Sequence, residues 1–120
     1  MADEVKVTAK IKVTNGNYIS KIVPTEHSFD QAAAGAYDVV NNIGTTEESI
    51  GTFGDLTTEG WCYIRNLDAT NYVQVGFSTT VYGIRLEAGE MALFRCEPSL
   101  TLYLKANTAA CDVRVVVFED

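Results

Sequence analysis

Apolar and polar residues alternate along most of this chain with a period of two. The first such run places Val5, Val7, Ala9, Ile11 and Val13 against Lys6, Thr8, Lys10 and Lys12. Period two puts successive side chains on opposite faces of a strand, so the pattern predicts one buried face and one basic, solvated face. Thr14-Asn15-Gly16-Asn17 follows, and Asn-Gly accepts the positive φ values of a type I′ turn. A tight hairpin into Tyr18–Val23 is therefore predicted. Pro24 should end it, because proline has no N–H to give to a ladder. Residues 4–23 read as a strand and hairpin, a candidate arm for contacting neighbours.

The same period recurs downstream. Val73, Val75 and Phe77 share a predicted face, as do Leu100, Leu102, Leu104 and Ala106. Cys111, Val113, Val115 and Val117 form another, with Asp112 and Arg114 opposite. Trp61–Asn66, Tyr82–Leu86 and Met91–Cys96 complete the set, the last two joined by the turn sequence Glu87-Ala88-Gly89-Glu90. Ser28–Ile43 is mixed: Gln31-Ala32-Ala33-Ala34 favours helix, whereas Gly35 interrupts it and Tyr37-Asp38-Val39-Val40 favours strand. An extended segment with a short helical turn is the better fit. No stretch of ten residues keeps a 3.6 period. About eight to ten strands with glycine-rich turns predict an all-β protein, an antiparallel, jelly-roll-like β-sandwich, with residues 1–120 as one domain.

Composition narrows the partners. The 120 residues hold 9 basic and 16 acidic side chains, a formal net charge of −7. That balance argues against nucleic acid and against anionic membranes, both of which select lysine and arginine. No apolar run approaches the roughly 18 to 20 residues that cross a bilayer. The acidic start Met1-Ala2-Asp3-Glu4 leads into a strand and does not read as a signal peptide. Cys62, Cys96 and Cys111 are odd in number, and each lies in an apolar alternating run. They read as small buried hydrophobes made in a reducing cytoplasm; one disulfide plus a free thiol is the competing reading.

The search for chemistry returns little. His27 is the single histidine, in an apparent loop, and no Gly-x-Ser-x-Gly elbow accompanies it. One histidine does not make the usual zinc sites. Glu47, Glu48, Asp55, Glu59, Glu87 and Glu90 lie in turn-like stretches, where solubility explains them more cheaply than an acid-pair hydrolase does. Asn66-Leu67-Asp68-Ala69-Thr70-Asn71 concentrates oxygen ligands but lacks the spacing of a calcium loop, and it reads as a turn. Gly51, Gly54 and Gly60 do not open a helix, so they make no phosphate cradle. Tyr18, Tyr37, Tyr63, Tyr72, Tyr82 and Tyr103 with Trp61 are candidates for a sugar platform, although aromatics are also what strands prefer. No catalytic residue, metal ligand or cofactor is assigned.

The run Phe53-Gly54-Asp55-Leu56-Thr57-Thr58-Glu59-Gly60-Trp61-Cys62-Tyr63-Ile64-Arg65-Asn66-Leu67-Asp68-Ala69-Thr70-Asn71-Tyr72-Val73 resembles a block of small tailed-bacteriophage virion structural proteins. Leu86-Glu87-Ala88-Gly89-Glu90 and Tyr103-Leu104-Lys105-Ala106-Asn107-Thr108 are similar to that group too, as is the spacing to the valine-rich final strand. The resemblance spans about residues 28–118 and rests on strand-and-turn patterns. It implies a small β-sandwich in or on the virion, with no enzymatic residues to carry over.

The resulting expectation is a non-enzymatic capsid decoration, or cement, protein. It would be made in the host cytoplasm and would bind other virion proteins, the major capsid protein above all. It would form a small homo-oligomer such as a trimer. A neck or tail component and a carbohydrate-binding host-attachment module are the alternatives. Lys6, Lys10 and Lys12 form the candidate partner-docking face, although lysines also guard sheet edges from unwanted pairing.

Overall fold

The computed structural model describes residues 3–22 and 24–120. Met1 and Ala2 of the acidic start, and Val23 at the expected end of the second strand, lie outside the described residues. The described chain is all-β, and it divides into two compact units, one ending at Ala32 and the other running Ala33–Asp120.

The first unit holds β1 (Val5–Thr8), β2 (Ile11–Asn15), β3 (Tyr18–Ile22) and β4 (Glu26–Phe29). β2 pairs with β3 and β1 with β4, both antiparallel. The run predicted as one strand is therefore split at Ala9-Lys10. The registers show why. Ile11 faces Ile22 and Thr8 faces Glu26, so two residues on one side oppose three on the other. The longer side contains Pro24, which cannot donate to a ladder.

The turn also differs from expectation. Asn15 pairs with Tyr18, so the loop is Gly16-Asn17 rather than Asn15-Gly16. Gly16 sits at φ +58°, and Asn17 is not in the positive-φ region. That sign pattern belongs to a type II′ turn, which wants glycine at its first central position.

The second unit contains β5 (Ala36–Ile43), β6 (Glu48–Ile50), β7 (Glu59–Asn66), β8 (Val73–Gly76), β9 (Ile84–Leu86), β10 (Met91–Arg95), β11 (Leu102–Ala106) and β12 (Cys111–Glu119). One sheet has the order β5-β12-β7-β10 and the other β6-β11-β8-β9. Counted within the unit, these orders are 1-8-3-6 and 2-7-4-5. The first strand pairs with the last, the second with the seventh, the third with the sixth and the fourth with the fifth. This is one long antiparallel hairpin rolled on itself, which is the jelly-roll sandwich.

The inward faces match the alternation in the sequence. Cys111, Val113, Val115 and Val117 of β12 are buried while Asp112 and Arg114 are exposed. Leu102, Leu104 and Ala106 of β11 and Val73 and Val75 of β8 come from the other sheet, and Cys62 and Ile64 of the neighbouring β7 lie beside the β12 residues in the same core. Phe53, in the loop after β6, completes the core and packs edge-on against Tyr37. Two expectations change, and one strand was not anticipated. Ser28–Ile43 carries no helical turn but two strands and a bend. Phe77 leaves the face of Val73 and Val75, because β8 ends at Gly76, and it stands 50% exposed. β6, only three residues long, is too short for its period to be legible.

Candidate functional site

The first unit is unusual in what it leaves uncovered. In the hairpin, Ile11, Val13, Tyr18, Ile19 and Ile22 are all exposed large hydrophobics. Ile11 lies opposite Ile22, with Val13 and Tyr18 on the same face of the ribbon; Ile19 is on the other face. The buried face anticipated for β2 is therefore open, and only Val5 and Val7 of β1 are half-buried.

Charge reinforces the contrast. Residues 5–25 contain four lysines and no acid. The chain's net charge of −7 resides in Ala33–Asp120, which carries four arginines, one lysine and twelve acids. Of the proposed docking lysines, Lys6 lies in β1 opposite Ser28, Lys10 in the link after β1, and Lys12 in β2. They occupy separate pieces of backbone rather than one strand. Lys12 faces Lys21 directly, a like-charge cross-strand pair that costs stability in isolation. Pattern reading passed over Lys21, since its strand alternates less regularly; the hairpin register is what brings it beside Lys12.

The remaining candidates have structural employment. Asn66 is fully buried, and its side-chain amide donates to the carbonyls of Asn71 (2.8 Å), Leu86 (3.1 Å) and Glu87 (3.3 Å). Its side-chain oxygen accepts from Asp68 N at 3.0 Å. Asp68 in turn accepts from the N–H groups of Thr70 and Asn71, which hold its carboxyl below the usual range. The oxygen-rich segment 66–71 is thus a pair of side-chain-to-backbone turns. His27 lies in β4 opposite Val7, not in a loop. Among the described residues no group of three or more His, Cys, Asp or Glu side chains is placed to hold a metal ion.

The aromatics are dispersed. Tyr37 packs on Phe53, Tyr72 lies under the Arg85 guanidinium at 3.6 Å, and Tyr82 donates its hydroxyl to Glu47. Trp61 and Tyr63 are in β7, and Tyr103 is in β11 of the other sheet. The three cysteines are free and buried. Cys62 and Cys96 are neighbours: the Cys62 thiol donates to Cys96, a bond that together with burial pushes Cys62 up and that, against burial, holds Cys96 down.

One further feature carries no sequence signal. The open side of the jelly roll, where β9 and β10 are the edge strands, holds an apolar cleft of about 670 Å³. Its walls come from segments separate from one another in pattern: Phe77, Ile84, the run from Ala92 to Glu97, and Leu100. Compared with known proteins, the chain matches no family model, no curated protein and no solved structure.

Proposed function

We propose that this protein is a non-enzymatic structural protein of a tailed-phage virion. In the most specific form of the reading it is a capsid decoration protein, which binds and stabilises the head shell through protein–protein contacts. One observation carries this. The chain carries both an acid-free, lysine-bearing hairpin with five exposed large hydrophobics and an acidic jelly roll. A two-stranded hairpin with bare apolar faces is marginal in water, so such an element gains most of its stability by being covered by another protein surface.

The likeness of residues 28–118 to small virion proteins supports the same reading. So does the outward face of the β5-β12-β7-β10 sheet, where Val40, Met91 and Leu93 are exposed. Burial of area between subunits, and not turnover, is the mechanism: a stable contact buries on the order of 1,600 Å² in total. Homo-oligomerisation fits, because an arm and a body on every copy let a ring close.

The test is cosedimentation of the full chain with expanded head shells of its phage across a salt series. Saturable binding that weakens as salt rises is expected, since the hairpin's lysines meet an acidic neighbour. Absence of binding at low salt would refute the decoration role.

A further inference from the structure

We propose that Cys96 and Cys62 form an oxidisable thiol pair at the wall of the apolar cleft: a small neutral peroxide reaches Cys96, and Cys62 closes on it to a disulfide. The chemistry of this pair is independent of the virion reading, and Cys111 takes no part in it.

Register brings the two sulfurs together. Cys62 of β7 stands opposite Phe94 of β10, and the Cys96 N–H donates to the Gly60 carbonyl at 2.7 Å. The antiparallel pairing therefore continues one step past Arg95, with Cys96 facing Gly60. Residues two apart on a strand share a face, so Cys62, Phe94 and Cys96 all look into the core. Cys62 and Cys96 are then diagonal neighbours, with Cα atoms about 7–8 Å apart. The residue facing Cys96 is glycine, so no cross-strand side chain holds its sulfur off Cys62, and the Cys62 thiol donates to it across the diagonal. A disulfide wants about 5.5–6 Å between Cα atoms. Closure thus draws the end of β10 toward β7 by about 1–2 Å, at the last rung of the ladder, where the chain gives most easily. Cys111 has no such route. Cys62 faces Val117 of β12, six residues along that strand from Cys111, or about 20 Å. The Cys111 sulfur lies instead against the carbonyls of Asn71, Tyr72 and Ala109.

Burial sets the order of events. Cys62 is fully buried, whereas Cys96 lines the cleft together with Phe77, Ile84, Phe94 and Leu100. Such apolar walls admit a small neutral oxidant more readily than a charged one. The bond from the Cys62 thiol, with Arg95 nearby, favours the Cys96 thiolate over the opposing effects of burial and Glu59, so Cys96 is the nucleophile. Its thiolate attacks one oxygen of hydrogen peroxide. The S–O bond forms, the O–O bond breaks, and the leaving hydroxide takes up the proton that Cys96 released. Cys96 is now a sulfenic acid, oxidised by the electron pair that reduced the peroxide. The Cys62 sulfur then attacks Cys96 Sγ, the S–O bond breaks, and the hydroxyl leaves as water with the Cys62 proton. Two thiols and one peroxide give one disulfide and two waters.

The test uses the native full chain, in which trypsin separates Cys62, Cys96 and Cys111 into peptides 22–65, 96–105 and 106–114. The folded protein is treated with hydrogen peroxide and then unfolded in an alkylating reagent. The monomer band of a non-reducing gel is mapped by mass spectrometry. Expected is a linked pair of peptides 22–65 and 96–105, released by reductant, with Cys111 alkylated. Dimedone, which captures sulfenic acids, should label Cys96 in Cys62→Ala, and should label Cys62 at least about tenfold more slowly in Cys96→Ala. Three alkylated thiols in the peroxide-treated parent, a link that includes Cys111, or a link formed only between copies would each overturn the proposal. So would dimedone labelling of Cys62 as fast as that of Cys96. The linked peptide is read from the parent itself, so a variant that fails to fold leaves the decisive measurement intact.

Discussion

Asn66 of β7 reaches across the sandwich to Leu86 of β9, donating its side-chain amide to the Leu86 carbonyl at 3.1 Å. The two strands belong to different sheets, so this bond fastens one layer to the other at a fully buried point. Because Asn66 also serves the carbonyls of Asn71 and Glu87 and the N–H of Asp68, its loss strands several buried polar groups at once. Asn66→Ala should cost about 3 kcal/mol, the penalty for unsatisfied buried groups. Asn66→Asp should be no better at neutral pH, since a carboxylate cannot donate to carbonyls. Chemical denaturation measures both; an alanine variant within about 0.5 kcal/mol of the parent would show that the tie is dispensable.

Glu119, near the C-terminal end of β12, is buried and accepts hydrogen bonds from the Thr57 hydroxyl (2.7 Å) and from the backbone N–H groups of Thr57 and Thr58. These donors favour the ionised carboxylate and lower its pKa below the ordinary 4.5. A depressed carboxylate contributes stability in full above its unfolded pKa and loses it as pH falls through the folded value. Glu119→Gln should therefore be less stable than the parent at pH 7, with the gap closing below about pH 4.5. A gap of constant size across that range would mean that ionisation of Glu119 is irrelevant to stability.

The Tyr82 hydroxyl donates to Glu47, which also accepts from the Thr79 hydroxyl and the Thr80 N–H, each at 2.7 Å. A carboxylate so placed resists formation of a second negative charge, and the Tyr82 phenol is pushed up to about 12. Tyrosinate absorbance should show one of the six tyrosines ionising late. In Glu47→Gln that late step should move toward the ordinary value of 10. An unchanged titration curve would place Tyr82 away from Glu47 in solution.

A Cβ built on Gly76 would stand 1.9 Å from the Val81 carbonyl oxygen, because the loop after β8 folds back through the Ser78–Val81 bridge. No side chain fits there without moving backbone. Gly76→Ala should cost about 2 kcal/mol or more and should release the Glu47-bound loop, which Tyr82 titration would report alongside denaturation. Parent-like stability would show that the loop gives way freely.

Much of the jelly roll was legible in the alternation itself. The inward series of β11 and β12 was readable because a half-buried strand forces period two on its residues, and the turn Glu87–Glu90 because it lacks that period. The all-β, antiparallel class follows from the same local rule, whereas the short helical turn that Gln31-Ala32-Ala33-Ala34 suggested does not form. What the chain could not disclose locally is pairing. Whether β5 meets β12, or Asn66 meets Leu86, depends on contacts between residues far apart in sequence, which leave no periodic trace. Tertiary structure alone decided that Val5, Val7, Ile11 and Val13, alike in pattern, split into a half-buried pair and an exposed pair. Period two reports that a strand has two different faces; only the packing determines whether anything covers the apolar one. For β12 the other sheet does so. For the hairpin Ile11–Ile22 the face stays open, and Pro24 with the one-residue register shift puts Lys6 and Lys12 in different ladders.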